Sequence, residues 1–80
     1  MLRLVDAFDL ESPAVIAFRF HTPLKPEMIS GGLRLGRLDF AWEGDLNMRF
    51  DPLDNGLTRI ELTTPAPVRR GFYTFNFARI

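Results

Sequence analysis

Large apolar residues recur at every second position in short runs along this chain, and turn-forming residues cut those runs about every ten residues, a combination that points to β-structure. Residues 18–40, F-R-F-H-T-P-L-K-P-E-M-I-S-G-G-L-R-L-G-R-L-D-F, organise the rest. They hold an apolar strand, a proline-framed turn, a Gly-Gly reversal and a second strand. Within that second strand Leu38, Phe40 and Trp42 alternate with Arg37, Asp39 and Ala41, the pattern of a half-buried strand.

The remaining runs follow the same rule. Residues 2–8 read as a first strand with Leu2, Leu4 and Phe8 on one face, and residues 9–13 as a turn. Residues 14–21 place Ala14, Ile16, Phe18 and Phe20 on one face and Val15 and Ala17 on the other. An apolar start on both faces predicts a central strand covered on two sides. Pro23 and Pro26 make 22–27 an extended loop. Met28 and Ile29 pair briefly before Gly31-Gly32 reverses the chain, and Gly36 marks a bulge or bend. Strands are expected at 33–35, 37–42, 46–50 and 57–62, with a type I′ turn at Asn55-Gly56. Residues 63–70, with Pro65 and Pro67, read as a long loop, and 72–80 as an aromatic closing strand with Tyr73, Phe75 and Phe77 on one side. The prediction is a single all-β domain over 1–80, a small antiparallel β-sandwich of about seven short strands.

Charge narrows the partners. Ten basic and ten acidic side chains cancel, so the concentrated positive field that nucleic acids and anionic membranes require is missing. The longest uncharged apolar run, 14–18, is far too short to span a bilayer. Asp6, Asp9 and Glu11 interrupt the first segment where a secretory signal would need an unbroken apolar run. The expectation is a soluble chain with neither a nucleic-acid nor a membrane partner. Without cysteine there is no disulfide framework, which leaves cytoplasm and periplasm equally open.

Few residues offer chemistry. His21 and Tyr73 are the single His and Tyr, so proton transfer would lean on them. One His among scattered carboxylates does not make a zinc site. Asp51, Asp54 and Asn55 lack the alternation and terminal Glu of a calcium loop. No nucleophile triad, phosphate loop or nucleotide fingerprint is present, so neither a catalytic residue nor a cofactor nor a metal is expected. The candidate binding residues are Trp42, Arg69, Arg70 and Tyr73. An aromatic face can stack on the apolar side of a sugar ring while the planar guanidinium fork pairs with a carboxylate or sulfate, so an acidic glycan is the candidate ligand.

The run F-R-F-H-T-P-L-K-P-E followed by G-G-L-R-L-G resembles the C-terminal β region of heparinase II/III-like proteins, bacterial polysaccharide lyases of acidic glycans. Residues 2–6 with Phe8 resemble the strand entering that region. Ile60-Glu61-Leu62, Pro67 and Arg69-Arg70 are similar to its late strand and loop, and 73–80 to its closing strand. Gly71-Phe72 departs from the family's aromatic-glycine step. The resemblance implies a noncatalytic module that follows a helical toroid and an upstream sandwich in a lyase of uronate-containing glycans. It implies packing on those catalytic domains, with the residues of β-elimination and the sandwich metal site lying upstream. Two other expectations stand beside it: a free-standing carbohydrate-binding module, and a domain that dimerises with a homo-oligomer partner through an apolar face or an open sheet edge.

Overall fold

The computed structural model describes residues 2–80. Eight strands occupy most of them: β1 (Leu2–Ala14), β2 (Ala17–Thr22), β3 (Glu27–Ile29), β4 (Gly32–Leu35), β5 (Leu38–Glu43), β6 (Asn47–Pro52), β7 (Thr58–Thr63) and β8 (Val68–Arg79). There is no helix among the described residues. All pairings are antiparallel, in a five-stranded sheet of order β1-β8-β5-β4-β3 and a three-stranded sheet of order β2-β7-β6. The predicted all-β antiparallel sandwich is therefore observed, with eight strands.

The core lies where period-two alternation turns large side chains inward from both sheets. Leu33, Leu35, Phe40 and Phe75 come from the longer sheet and Phe18, Ile60 and Leu62 from the shorter. Phe20 sets its ring edge-on to Phe40, Phe75 and Phe77 at centroid distances of 5.2, 5.3 and 6.3 Å, an arrangement the ring quadrupole favours. Burial of each such side chain contributes about 1.5–3 kcal/mol. Cross-strand pairing keeps partners on one face: Leu33 opposite Phe40, Phe40 opposite Phe77, Phe18 opposite Leu62 and Phe20 opposite Ile60.

The outer face of the shorter sheet is charged. Glu61 on β7 accepts from Arg19 of β2 at 2.8 Å and from Arg49 of β6 at 3.3 Å, and Asp51 joins Arg49 and Arg59 at 3.3 and 3.4 Å. Carboxylates and guanidiniums thus alternate across three strands on the side that water reaches. At the start of β2, the Ile16 N–H donates to the Thr64 hydroxyl at 3.1 Å and the Thr64 N–H donates to the Ile16 carbonyl at 3.0 Å, extending the ladder by one pair.

Several local expectations are corrected. Residues 9–13 do not end β1: Asp9 pairs with Arg70 and Ala14 with Val68 of β8, and residues 10–13 between them bulge out of the ladder without a partner on β8. The predicted central strand 14–21 is β2, an edge of the shorter sheet. Of its apolar second face, Val15 lies exposed in the crossing from one sheet to the other and Ala17 begins β2. The predicted loop 63–70 is shorter: β8 begins at Val68, so Arg69 and Arg70 lie on a strand. Gly36 sits at positive φ in the two-residue connection between the paired Leu35 and Leu38, making a hairpin turn rather than a bulge. Asn55 keeps a negative φ, so Asn55-Gly56 is not type I′. The turn closes instead with the Gly56 N–H donating to Leu53 and the Asn55 side chain accepting from the Leu57 N–H. Gly32 is buried at the start of β4, where a Cβ would overlap the Phe40 carbonyl oxygen, so its smallness serves strand packing.

Candidate functional site

The four candidate binding residues occupy three environments. Trp42 stands on the inner face of β5, tilted against Phe40 at 5.6 Å, and borders a hollow of about 560 Å³ with Met28, Ile29, Leu46, Asn47 and Met48. This hollow opens on the long side of the sandwich formed by β3 and β6. Tyr73 stands on the inner face of β8, stacked on Phe8 at 6.1 Å and edge-on to Phe18 at 5.4 Å. Gly44, at a φ of 122°, passes directly over the Tyr73 ring, where any Cβ would overlap it.

Arg69 and Arg70 diverge, because successive strand residues face opposite sides of a sheet. The Arg69 Nε donates to the Leu10 carbonyl of β1 at 3.0 Å, and the Arg70 guanidinium lies 3.7 Å from the Asp9 carboxylate, both groups well exposed. Arg70 pairs with Asp9, whereas Trp42 pairs with Phe75, five residues further along β8. That separation is about 17 Å along the strand. The structure brings Trp42 and Tyr73 onto one face of neighbouring strands and leaves the two arginines at the far end of the β1–β8 pair. A single sugar ring does not reach both. His21, next to last in β2, is exposed and pairs with Arg59. Among the described residues no group of three or more His, Cys, Asp or Glu lies close enough to hold a metal ion.

The feature that sequence reading missed lies on the other long side of the sandwich. The ring contacts place β2 above β8 and β5, since Phe18 meets Tyr73 and Phe75 while Phe20 meets Phe40, Phe75 and Phe77. Nothing in the three-stranded sheet stands above β1. Its inward-facing Leu2 and Leu4 are 57% and 44% exposed as a result. They line an open cavity of about 620 Å³ with Phe20, Leu38, Phe77 and Arg79. A second hollow of about 410 Å³ shares Leu4 and Phe20 and continues the groove to Asp6, Ala17 and Arg19. The groove is apolar along its middle, with the Arg79 guanidinium near one end and the Asp6 carboxylate near the other. The signal available in the sequence was the alternation of Leu2, Leu4 and Asp6, which has the period of an inward face yet ends in a charge.

One ion pair shifts titration. On the outer face of the longer sheet, Arg34 donates to Asp39 from Nε at 2.9 Å and from Nη2 at 3.3 Å, a two-pronged contact between paired strand positions. The hydrogen bond from Arg34 holds the Asp39 carboxyl below the ordinary aspartate range and raises Arg34 in turn.

Comparison with protein-family models, with curated proteins and with solved structures gave no match.

Proposed function

We propose that this chain is a noncatalytic β-sandwich module of a heparinase II/III-like polysaccharide lyase acting on uronate-containing glycans, and that it packs on neighbouring catalytic domains through the groove beside β1. The observation that carries this reading is the uncovered inner face of β1, where Leu2 and Leu4 present apolar surface in the position of a core without its lid. The resemblance of residues 18–36 to the C-terminal β region of those lyases supplies the family context. Trp42 with Tyr73 in one place, and Arg69 and Arg70 toward the start of β8 in another, are the separate points at which the module would touch an acidic glycan.

A hydrophobic fluorescent probe tests the docking role directly. The wild-type chain is expected to bind the probe, and Leu4→Lys to lose most of that binding while its circular dichroism stays unchanged. Equal binding by the two removes the groove from consideration. The family context is tested separately, by reading the gene upstream of this segment for a helical domain bearing the Tyr and His of β-elimination.

A second reading, a free-standing carbohydrate-binding module, is favoured by the half-buried Trp42 ring at the edge of its own hollow. Heteronuclear NMR titration with uronate oligosaccharides separates the two. Shifted amides around Trp42 and 69–73 support direct glycan binding, and an unchanged spectrum at millimolar sugar eliminates it.

A further inference from the structure

The groove beside β1 has the dimensions, backbone chemistry and charge pattern of a missing strand. We infer that it accepts one extended segment of a partner polypeptide, added antiparallel to the free edge of β2, whose inward residues read acidic, apolar, apolar, basic at every second position. The inference rests on reading this groove as a docking surface, and names what docks there.

Ile16 and Thr64 form a hydrogen-bonded pair, so the alternation of an antiparallel ladder places Phe18, Phe20 and Thr22 in bonded pairs with β7. Ala17, Arg19 and His21 then point their N–H and C=O groups away from β7, toward the space above β1. Three residues' worth of backbone donors and acceptors therefore face the groove as a template for another strand. A strand there would convert the three-stranded sheet to four strands, and the fourth would stand over β1 as β2 stands over β8.

Direction and charge follow from register. The ring contacts show that β2 runs with β8, and β8 is antiparallel to β1, so a strand antiparallel to β2 runs in the direction of β1. In that direction the groove floor presents Arg79, then Leu2, Leu4 and Asp6. Arg79 pairs with Leu38 and stands two residues beyond Phe77, the partner of Leu2. Neither Arg79 nor Asp6 has an ion-pair partner among the described residues. Arg79 to Asp6 spans six strand intervals, about 20 Å, so the docking segment has about seven residues. An acidic side chain over Arg79 and a basic one over Asp6 answer the two charges, and two apolar side chains between them cover Leu2, Leu4 and Phe20.

The test uses fluorescein-labelled, end-capped peptides ETVTVTK and its charge-reversed counterpart KTVTVTE, titrated with the 80-residue chain and read by fluorescence anisotropy. At low ionic strength ETVTVTK is expected to bind roughly tenfold more tightly than KTVTVTE, with the difference shrinking as salt screens the end charges. Arg79→Glu, an exposed position, is expected to reverse the preference at the first residue, so that KTVTVTK binds this variant better than ETVTVTK. Hydrogen exchange supplies a structural readout: the Ala17, Arg19 and His21 amides slow on peptide addition. Equal binding of the two charge orders, or binding without protection of those three amides, overturns the inference. So does a free protein that sediments as a dimer with those amides already protected, which would assign the groove to a second copy. Probe binding that is lost in Leu4→Lys, in a protein that ignores every peptide at millimolar concentration, overturns strand addition while leaving the docking role standing.

Discussion

Phe40 and Leu4 lie on the same face of the same sheet, two strands apart, yet Phe40 is fully buried and Leu4 is 44% exposed. Both follow the same period-two alternation, and both are large and apolar. What separates them is the width of the opposite sheet: three strands cover β8, β5 and β4, and none reaches over β1. Alternation therefore decides which way a side chain points, and the facing layer decides whether water still finds it. An 80-residue chain covers its centre first because surface is large relative to volume at this size.

Substitutions should cost most at the covered centre. Phe40→Ala removes a ring packed against Phe20, Trp42, Phe75 and Phe77, and is expected to cost about 3–5 kcal/mol in urea unfolding. A domain of this length has roughly 4–12 kcal/mol in total, so the variant should be largely unfolded or close to it. A loss below about 1 kcal/mol would contradict the central position given to this residue. Gly32→Ala forces a methyl group against the Phe40 carbonyl between β4 and β5 and should cost about 1–3 kcal/mol, visible as a lower midpoint with unchanged slope.

On the charged outer face, Glu61→Gln weakens contacts with both Arg19 and Arg49, whose guanidiniums are largely exposed. Solvent screening limits the loss to about 0.5–1 kcal/mol, reduced further by added salt. Leu4→Ala, two strands from Phe40, should change stability by no more than about 0.5 kcal/mol in the isolated chain, because its surroundings are already wet. A large loss there would mean that the groove is closed in solution.

The smallest effect is expected at Asp39. Its folded carboxyl is held below the ordinary range by Arg34, so the pair's contribution is present above the unfolded value of about 3.9 and is lost as pH falls through the folded one. The thermal midpoints of wild type and Asp39→Asn should therefore differ slightly at neutral pH and converge below about pH 4. A gap that stays constant across that range would detach the titration from this ion pair.

Most of the inward faces were legible from alternation alone: Leu38-Phe40-Trp42, Ile60-Leu62 and Tyr73-Phe75-Phe77 all point into the core or its border as their spacing requires. The turn at Gly31 was legible too, since its φ of 82° suits glycine. Residues 9–13 and 68–70 were not, because Asp, Glu, Ser and Pro in the first and flanking prolines in the second read locally as turn and loop. Pairing of Asp9 with Arg70 and Ala14 with Val68, across a sequence gap no local window spans, carries the strand past this stretch, and the turn-forming residues 10–13 are accommodated as a bulge. For the candidate site, residue types were readable but their convergence was not. Trp42 and Tyr73 share a face, while Arg69 and Arg70 were carried to the far end of β8 by that same long-range pairing.

That this chain makes β-strands, which faces of them are apolar, and that its charges balance are all written in local spacing and composition. The five-to-three division of the strands, the edge position of β2 and the uncovered β1, with Arg79 and Asp6 marking the ends of its groove, emerge only in the folded arrangement. Strand order and sheet width arise from pairings between distant segments, and the position of an open edge exists only once those pairings are made.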